Sequence, residues 1–426
     1  MPDTLRVATL YSPTSYFLYR DTVMGYDYSL IMTLAKEKDL KLDIKVAASL
    51  NDALAMLDGG MVDIVTYDVP VTSEYNDRVI HCGPVNSTSQ VLVQPRKGSD
   101  SIIHDVTQLV GRDVYVEAES KYSQRITNLN EELGGGINIH TVNRDTLITE
   151  DLIKMVQDGE IPLTVVDSDI ARLNKTYYPD LDITMEISFP QRSAWAVRKS
   201  DQWLADSIDT WINTDSHRKE IDMLLKRYFE QSKTPLHARV ADLVIRNGVV
   251  SPYDATFRFY GSTSGFDWRL LAAIGYVESG FDVKATSWAG AKGLMQIMPS
   301  VAQMYGFSPN DLNDARQSIE LAARILKDLD RKLSKKIENP KERIKFILAS
   351  YNAGIGHIYD AIEIAQATHK DTDTWFGSVE HALTLKSNPL YYNQPYCRNG
   401  YFRSAETVTF VHKVMDVYDK IVSATH

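Results

Sequence analysis

Cysteine is scarce in this chain: only Cys82 and Cys397 occur in 426 residues. A disulfide framework and any CxxC metal or redox pair are thereby excluded. Two ordinary thiols are expected, and one long-range bridge is the remaining option. Long apolar runs are missing too. The longest, at 270–277, falls far short of the roughly 18 residues a membrane-spanning helix needs. The opening residues, MPDTL, lack the basic and apolar regions of a secretory leader, which fits a cytosolic chain or one already trimmed. An excess of base is also absent. The formal charge is −10, with the acid concentrated before residue 233 and a slight basic excess after it. The acidic front half argues against nucleic acid as a partner, because counterion release needs a cationic surface. The rear half could meet an anionic polymer.

Several chemical signatures are missing as well. There is no GxxxxGK[ST], no GxGxxG and no HExxH, so phosphate-loop, dinucleotide and zincin chemistry find no support. The ten histidines show no metal-ligand spacing, and no metal site is expected. The run GSTSG at 261–265 looks like a nucleophile elbow, but its central residue is Thr and no strand precedes it. It reads as a loop.

What is present is a globular composition, 44% apolar and 24% charged, in a chain long enough for two or three domains. The front half alternates β-branched runs at 5–10, 42–46, 62–67, 114–117, 137–142, 163–166 and 195–197 with amphipathic helical stretches. In those stretches Leu30, Ile31 and Leu34, then Leu50, Ala53, Leu54 and Leu57, fall at helical spacing. Strand–helix alternation of this kind predicts α/β sheets. The polar stretch 230–235 breaks the pattern, and beyond it nearly every periodicity is helical. A linker is expected at 233–250. One rear helix should begin after Asp314 and bury Ile319, Ala322, Leu326, Leu329 and Leu333. Another should open at Asn339-Pro340 and end at Gly354, with Ile344, Ile347, Leu348 and Tyr351 as its stripe. The last should open after Ser404 and bury Val408, Val411, Met415, Tyr418 and Val422.

The segment WRLLAAIGYVESG, 268–280, reads as a helix whose stripe Leu271, Ile274, Glu278 puts a carboxyl on the apolar face. Burial and the negative end of the helix both disfavour its ionised form. A carboxylic acid kept protonated near neutrality suits glycosidic cleavage, where the leaving oxygen needs a proton. A partly exposed Glu at a frayed helix end is the plain alternative.

The surrounding motifs decide between these readings. ESGFDVKATSWAGAKGLMQIMP, 278–299, followed by ASYNAG, 349–354, resembles the lysozyme-like catalytic domain of soluble-type lytic transglycosylases of peptidoglycan. The resemblance spans about 251–426 and implies a mainly α fold. By position it makes Glu278 the catalytic acid/base and Ser287, Gln296, Tyr351 and Asn352 substrate-binding residues. Trp288 stands where the family pattern usually has Pro. Tyr351 could donate a hydrogen bond to Glu278, and the amides of Gln296 and Asn352 could meet N-acetyl groups. The run 395–411 fits the family's closing segment and adds Tyr401 and Glu406. No second carboxyl accompanies Glu278 at motif level. The resemblance therefore implies assistance by the substrate's own 2-acetamido group and closure of a 1,6-anhydro ring by the C6 hydroxyl. It implies no cofactor. A lysozyme-type hydrolase, with water as acceptor, would use the same Glu. A receptor carrying an inactive helical domain is a third reading, opposed by the complete set of motif residues.

The front half, through LRVATL, MGYDYSLIMTLAKEKDLKLDI, LNDALAMLDGGMVDIVTYDVPVT and SAWAVRKSDQWLADSIDTWINTD, resembles family 3 periplasmic solute-binding proteins over about 4–230. Two α/β lobes hinged about a ligand cleft are implied for 1–232. The Arg that holds a ligand carboxylate in amino-acid-binding members is replaced by Tyr75; Arg78 is close enough to substitute. Asp167 matches the acid that meets a ligand ammonium, and Tyr11 and Ser120 match positions at the cleft edges. A muropeptide or amino-acid ligand that shifts the activity of the rear domain is implied. So is a periplasmic location at the outer membrane, held by a lipid anchor or segment upstream of residue 1.

Overall fold

The structure, a computed structural model, describes residues 3–96, 102–143, 148–233 and 243–425. The chain forms two compact units: Met1–Tyr16 with Gly25–Ser232, and Phe17–Met24 with Lys233–His426. The long division falls between Ser232 and Lys233, and eight residues from the front of the chain, 17–24, belong to the rear unit. Part of the expected linker lies outside the described residues.

The first unit is α/β and holds two sheets. One contains β1 (Thr4–Leu10), β4 (Lys41–Ala47), β5 (Ile64–Pro70), β6 (Val79–Thr88) and β12 (Gln191–Arg198) in the order β4-β1-β5-β12-β6. Here β1 runs parallel to β4 and β5, whereas β12 is antiparallel to β5 and β6. The other contains β7 (Gln90–Pro95), β8 (Asp113–Glu117), β9 (Asn138–Val142), β10 (Thr164–Asp167) and β11 (Leu181–Asp182) in the order β11-β7-β10-β8-β9. Helix Leu50–Asp58 lays Ala53, Leu54 and Leu57 on Ala8 and Val65 of the first sheet. Helix Lys121–Glu132 lays Ile126 and Leu129 against Val114 and Val116 of the second. Each buried Leu or Ile among these contributes roughly 1.5–3 kcal/mol of apolar burial.

The second unit is helical. Helices Asp254–Ser264, Trp268–Ser279, Ala315–Leu333, Pro340–Ala353 and Ala405–Ala424 share one core, with Leu271, Ile274, Leu326, Phe346 and Phe410 inside it. The run 261–265 is not a loop: it is the last turn of helix Asp254–Ser264, closed by Gly265 in the left-handed region at φ 87°. Asn339 caps Pro340–Ala353 through its side chain, and Gly354 ends that helix, as the sequence predicts. The final helix is rotated from expectation. Its fully buried line is Thr407, Phe410, Val411, Val414, Val417 and Ile421, and Val408, Met415, Tyr418 and Val422 flank it. Both cysteines are free, Cys82 buried and Cys397 half-buried.

The front-end contribution to the second unit is a hairpin, β2 (Phe17–Tyr19) paired antiparallel with β3 (Thr22–Met24). Its two-residue loop is Arg20-Asp21, at φ 49° and 57°. Two-residue hairpin loops favour left-handed backbone at both positions because it matches the twist of the strands.

Candidate active site

Glu278 lies in the last turn of helix Trp268–Ser279, which is capped by Asp267 and ended by Gly280 at φ 64°. Gly275, one turn earlier, lets the Leu294 and Met295 side chains approach: a Cβ there would stand 2.8 Å from Leu294 Cδ2 and 3.2 Å from Met295 Sδ. Ser279 Oγ donates to the Leu294 carbonyl at 2.8 Å, so the helix end and the GLMQ segment are tied together. Glu278 is only 6% exposed. Burial pushes its carboxyl up to about 7, and neighbouring Glu406 pushes the same way, while the Arg20 guanidinium pulls it down.

That guanidinium comes from the hairpin loop. Arg20 Nη1 and Nη2 donate to Glu278 Oε1 and Oε2, each at 3.1 Å, and Nη1 also donates to the Gln296 carbonyl at 2.9 Å. Nη2 stands 3.7 Å from Glu406 Oε1. Burial opposes the charge on Arg20, but Glu278, Tyr19 and Glu406 outweigh it and hold the guanidinium ionised. Tyr19 Oη donates to Glu406 Oε1 at 3.1 Å, and Thr22 Oγ1 and Ser300 Oγ share a hydrogen bond at 2.6 Å. A cavity of about 100 Å³ remains beside the loop, lined by Arg20, Asp21, Gln296, Met298, Tyr351 and Ile355 among others. Two carboxylates, Glu278 and Glu406, thus share the site with the buried Arg20 guanidinium.

The other candidates are tied to neighbouring segments. Tyr351 does not bond to Glu278; its hydroxyl donates to the Met295 carbonyl at 2.7 Å and braces the GLMQ segment. The Gln296 amide donates inward to the Gly293 and Ala285 carbonyls at 2.8 and 3.1 Å, from a backbone at φ 48°. Asn352 Oδ1 accepts from Thr407 Oγ1 at 2.6 Å, joining two helices. These groups shape the groove wall through bonds to the Met295, Gly293 and Ala285 carbonyls and to Thr407. Ser287 Oγ accepts from Ala291 N at 3.0 Å and tightens the turn that carries Trp288. Tyr401 is buried edge-on to Tyr392, with ring centroids 6.1 Å apart.

The closing segment is fixed from below. Lys386, fully buried, pairs with Asp360 and donates to His357 Nδ1 at 3.0 Å. Asp360 also accepts from the backbone of Arg398 and Asn399, at 3.0 and 2.9 Å. Burial and the neighbouring ammonium keep His357 neutral, so its Nε2–H points to the Leu18 carbonyl of the hairpin, at 3.3 Å. Neither Arg20 nor this lysine was among the residues singled out by sequence.

In the first unit, Tyr11 packs on Tyr16 with centroids 5.7 Å apart, and Tyr16 meets Tyr28 edge-on at 5.5 Å. Asp167 pairs with Lys121, and Ser120 caps helix Lys121–Glu132 by accepting from Ser123 N at 3.1 Å. Arg78 is held elsewhere: its Nη2 and Nε bind Asp58 at 2.6 and 2.9 Å in an exposed pair. Acid accumulates instead. Burial, then Asp68, raises Asp27 to about 7, and burial, then Asp167 and Asp68, raises Asp169 to about 6. Among the described residues no group of three or more His, Cys, Asp or Glu could hold a metal ion.

Comparison with known proteins gives the family. Residues 5–231 match the model for bacterial extracellular solute-binding proteins, family 3, and 255–374 match the transglycosylase SLT domain. A membrane-bound lytic murein transglycosylase F of Desulfosudis oleivorans is 32% identical, covering 97% of this chain and 88% of that protein. The chain belongs to that family. A membrane-bound lytic murein transglycosylase F 2 of Alkalilimnicola ehrlichii is 31% identical over 99% of this chain and 91% of its own length. The front unit is therefore a solute-binding domain and the rear one a transglycosylase domain. Among the described residues no helix is long and apolar enough to cross a membrane.

Proposed function

We propose that this enzyme cleaves the β-1,4 bond between N-acetylmuramic acid and N-acetylglucosamine in peptidoglycan without water, leaving 1,6-anhydro ends. The observation that carries the reading is a carboxyl that burial lifts to about 7, set between transglycosylase motifs. Glu278 gives its proton to the bridging oxygen as the C1–O bond breaks. The 2-acetamido oxygen supplies electrons to C1. The C6 hydroxyl then attacks C1, displaces the acetamido oxygen, and returns its proton to the Glu278 carboxylate. The acid is regenerated, and no cofactor is needed. Mass spectrometry of sacculi digested by the enzyme tests this: muropeptides lacking one water relative to reducing ends are expected, and reducing ends alone would favour the hydrolase. Glu278→Gln should lower turnover roughly 10²–10⁴-fold, the range of general acid–base contributions. An undiminished rate would reject Glu278 as the acid.

The same reading includes regulation from the solute-binding domain. Arg20 neutralises and covers the acid, so this arrangement is a resting state. The hairpin follows Tyr16 directly, and Tyr16 packs on Tyr11, an expected ligand contact. A ligand that favours a different setting of these tyrosines shifts the hairpin's population and so the supply of free acid. The acids Asp27, Asp68, Asp167 and Asp169 suit a ligand bearing an ammonium group, such as a cell-wall peptide. A periplasmic site at the outer membrane, with the anchor upstream, is consistent with relatives named as membrane-bound.

A further inference from the structure

Trp288 sits on a turn pinned by three hydrogen bonds. Ser287 N donates to the Ala291 carbonyl at 2.9 Å, Gly290 N to the Ser287 carbonyl at 3.0 Å, and Ala291 N to Ser287 Oγ at 3.0 Å. Against the half-buried indole lie the Lys233 ammonium, 4.8 Å from its centroid, and the Tyr19 ring, 5.5 Å away at 56°. Tyr19 is the residue before Arg20. One dipeptide therefore places a guanidinium on Glu278, a phenol hydroxyl on Glu406 and an aromatic ring on Trp288.

Groups of this kind match what a glycan chain carries. A pyranose offers an apolar face of C–H bonds for an aromatic ring and hydroxyls at its edge for a carboxylate. The geometry points to Trp288 as the stacking platform for the sugar adjoining the scissile linkage, with Tyr19 holding that sugar's place and Arg20 the place of the bond being cleaved. Glu406 receives a hydroxyl of the same sugar. The inference rests on the transglycosylase reading and adds a binding residue to it.

The test is steady-state kinetics of the full chain on purified uncrosslinked glycan strands, alone and in an Arg20→Ala background. Trp288→Ala should raise KM about tenfold, with kcat within about threefold, in both backgrounds. Trp288→Phe should stay within about threefold of the parent KM, and Trp288→Leu should behave like the alanine variant. If the indole only anchors the hairpin, its removal instead leaves KM unchanged or lower and raises turnover of the Arg20-containing enzyme; that result overturns the proposal. Should the alanine variant fail to fold, the Phe and Leu variants decide, and equal KM values for them overturn it. A parent enzyme that releases nothing from sacculi refutes the activity reading and this inference with it. An active parent with an unaffected KM in the variants refutes the inference alone.

Discussion

Arg20 adopts a backbone conformation that costs a side-chain-bearing residue about 1–2 kcal/mol. Asn or Gly would take that turn more cheaply. The bonds to both oxygens of Glu278 and to the Gln296 carbonyl offset the strain, and a residue under such strain often has a functional task. An opposite charge at hydrogen-bond distance favours ionised Glu278, so removing it must raise the carboxyl further. Arg20→Ala should therefore increase sacculus turnover about tenfold or more and move the alkaline limb of the rate profile to higher pH. Turbidity loss followed from pH 5 to 9 checks both. An unchanged rate with an unmoved limb would remove Arg20 from the control of catalysis.

At the scale of elements, Lys386 holds the chain from Arg398 to Phe402 twice: its buried ammonium pairs with Asp360, and its backbone carbonyl accepts from Phe402 N at 3.1 Å. Lys386→Met leaves Asp360 buried with its countercharge gone, an exchange that costs about 3–5 kcal/mol. Denaturant unfolding of the variant should show a loss of that size, and a loss below about 1 kcal/mol would mean that the carboxylate is satisfied without it. The helices and strands that carry clear periodicity were legible in the sequence: β1, β4, β8, β9 and β10 fall where β-branched runs predict them. Helix Trp268–Ser279 and the burial of Glu278 were legible too. The hairpin was not, because three-residue strands carry almost no pattern and Arg-Asp gives no turn signal. Strand β6 was hidden by a Gly-Pro pair and an Asn within it. Motif resemblance named Tyr351, Gln296 and Asn352 but could not tell which carbonyl or hydroxyl each would meet, since those partners lie on other elements. The final helix was misread by one position because valines line two adjacent faces of it.

At the scale of the whole molecule, the acid surplus of the front half has a local counterpart in Asp27, Asp68, Asp167 and Asp169. The ammonium-bearing ligand proposed above needs Asp27 and Asp169 ionised. Asp27 and Asp169 titrate near 7 and 6, so binding is strongest above that range and is lost as pH falls through it. Calorimetry with a diamino-acid stem peptide should show heat at pH 8, weaker binding at pH 5, and faster sacculus turnover at saturation; no heat and constant turnover would exclude regulation of this kind. The connectivity of residues 17–24 has a kinetic consequence. Both ends of the segment return to the solute-binding domain. It is a competitor on a leash, present at an effective molarity on the order of millimolar however dilute the enzyme becomes. Dialysis cannot strip it away, and a glycan strand must always win its seat against an occupant that never leaves the room.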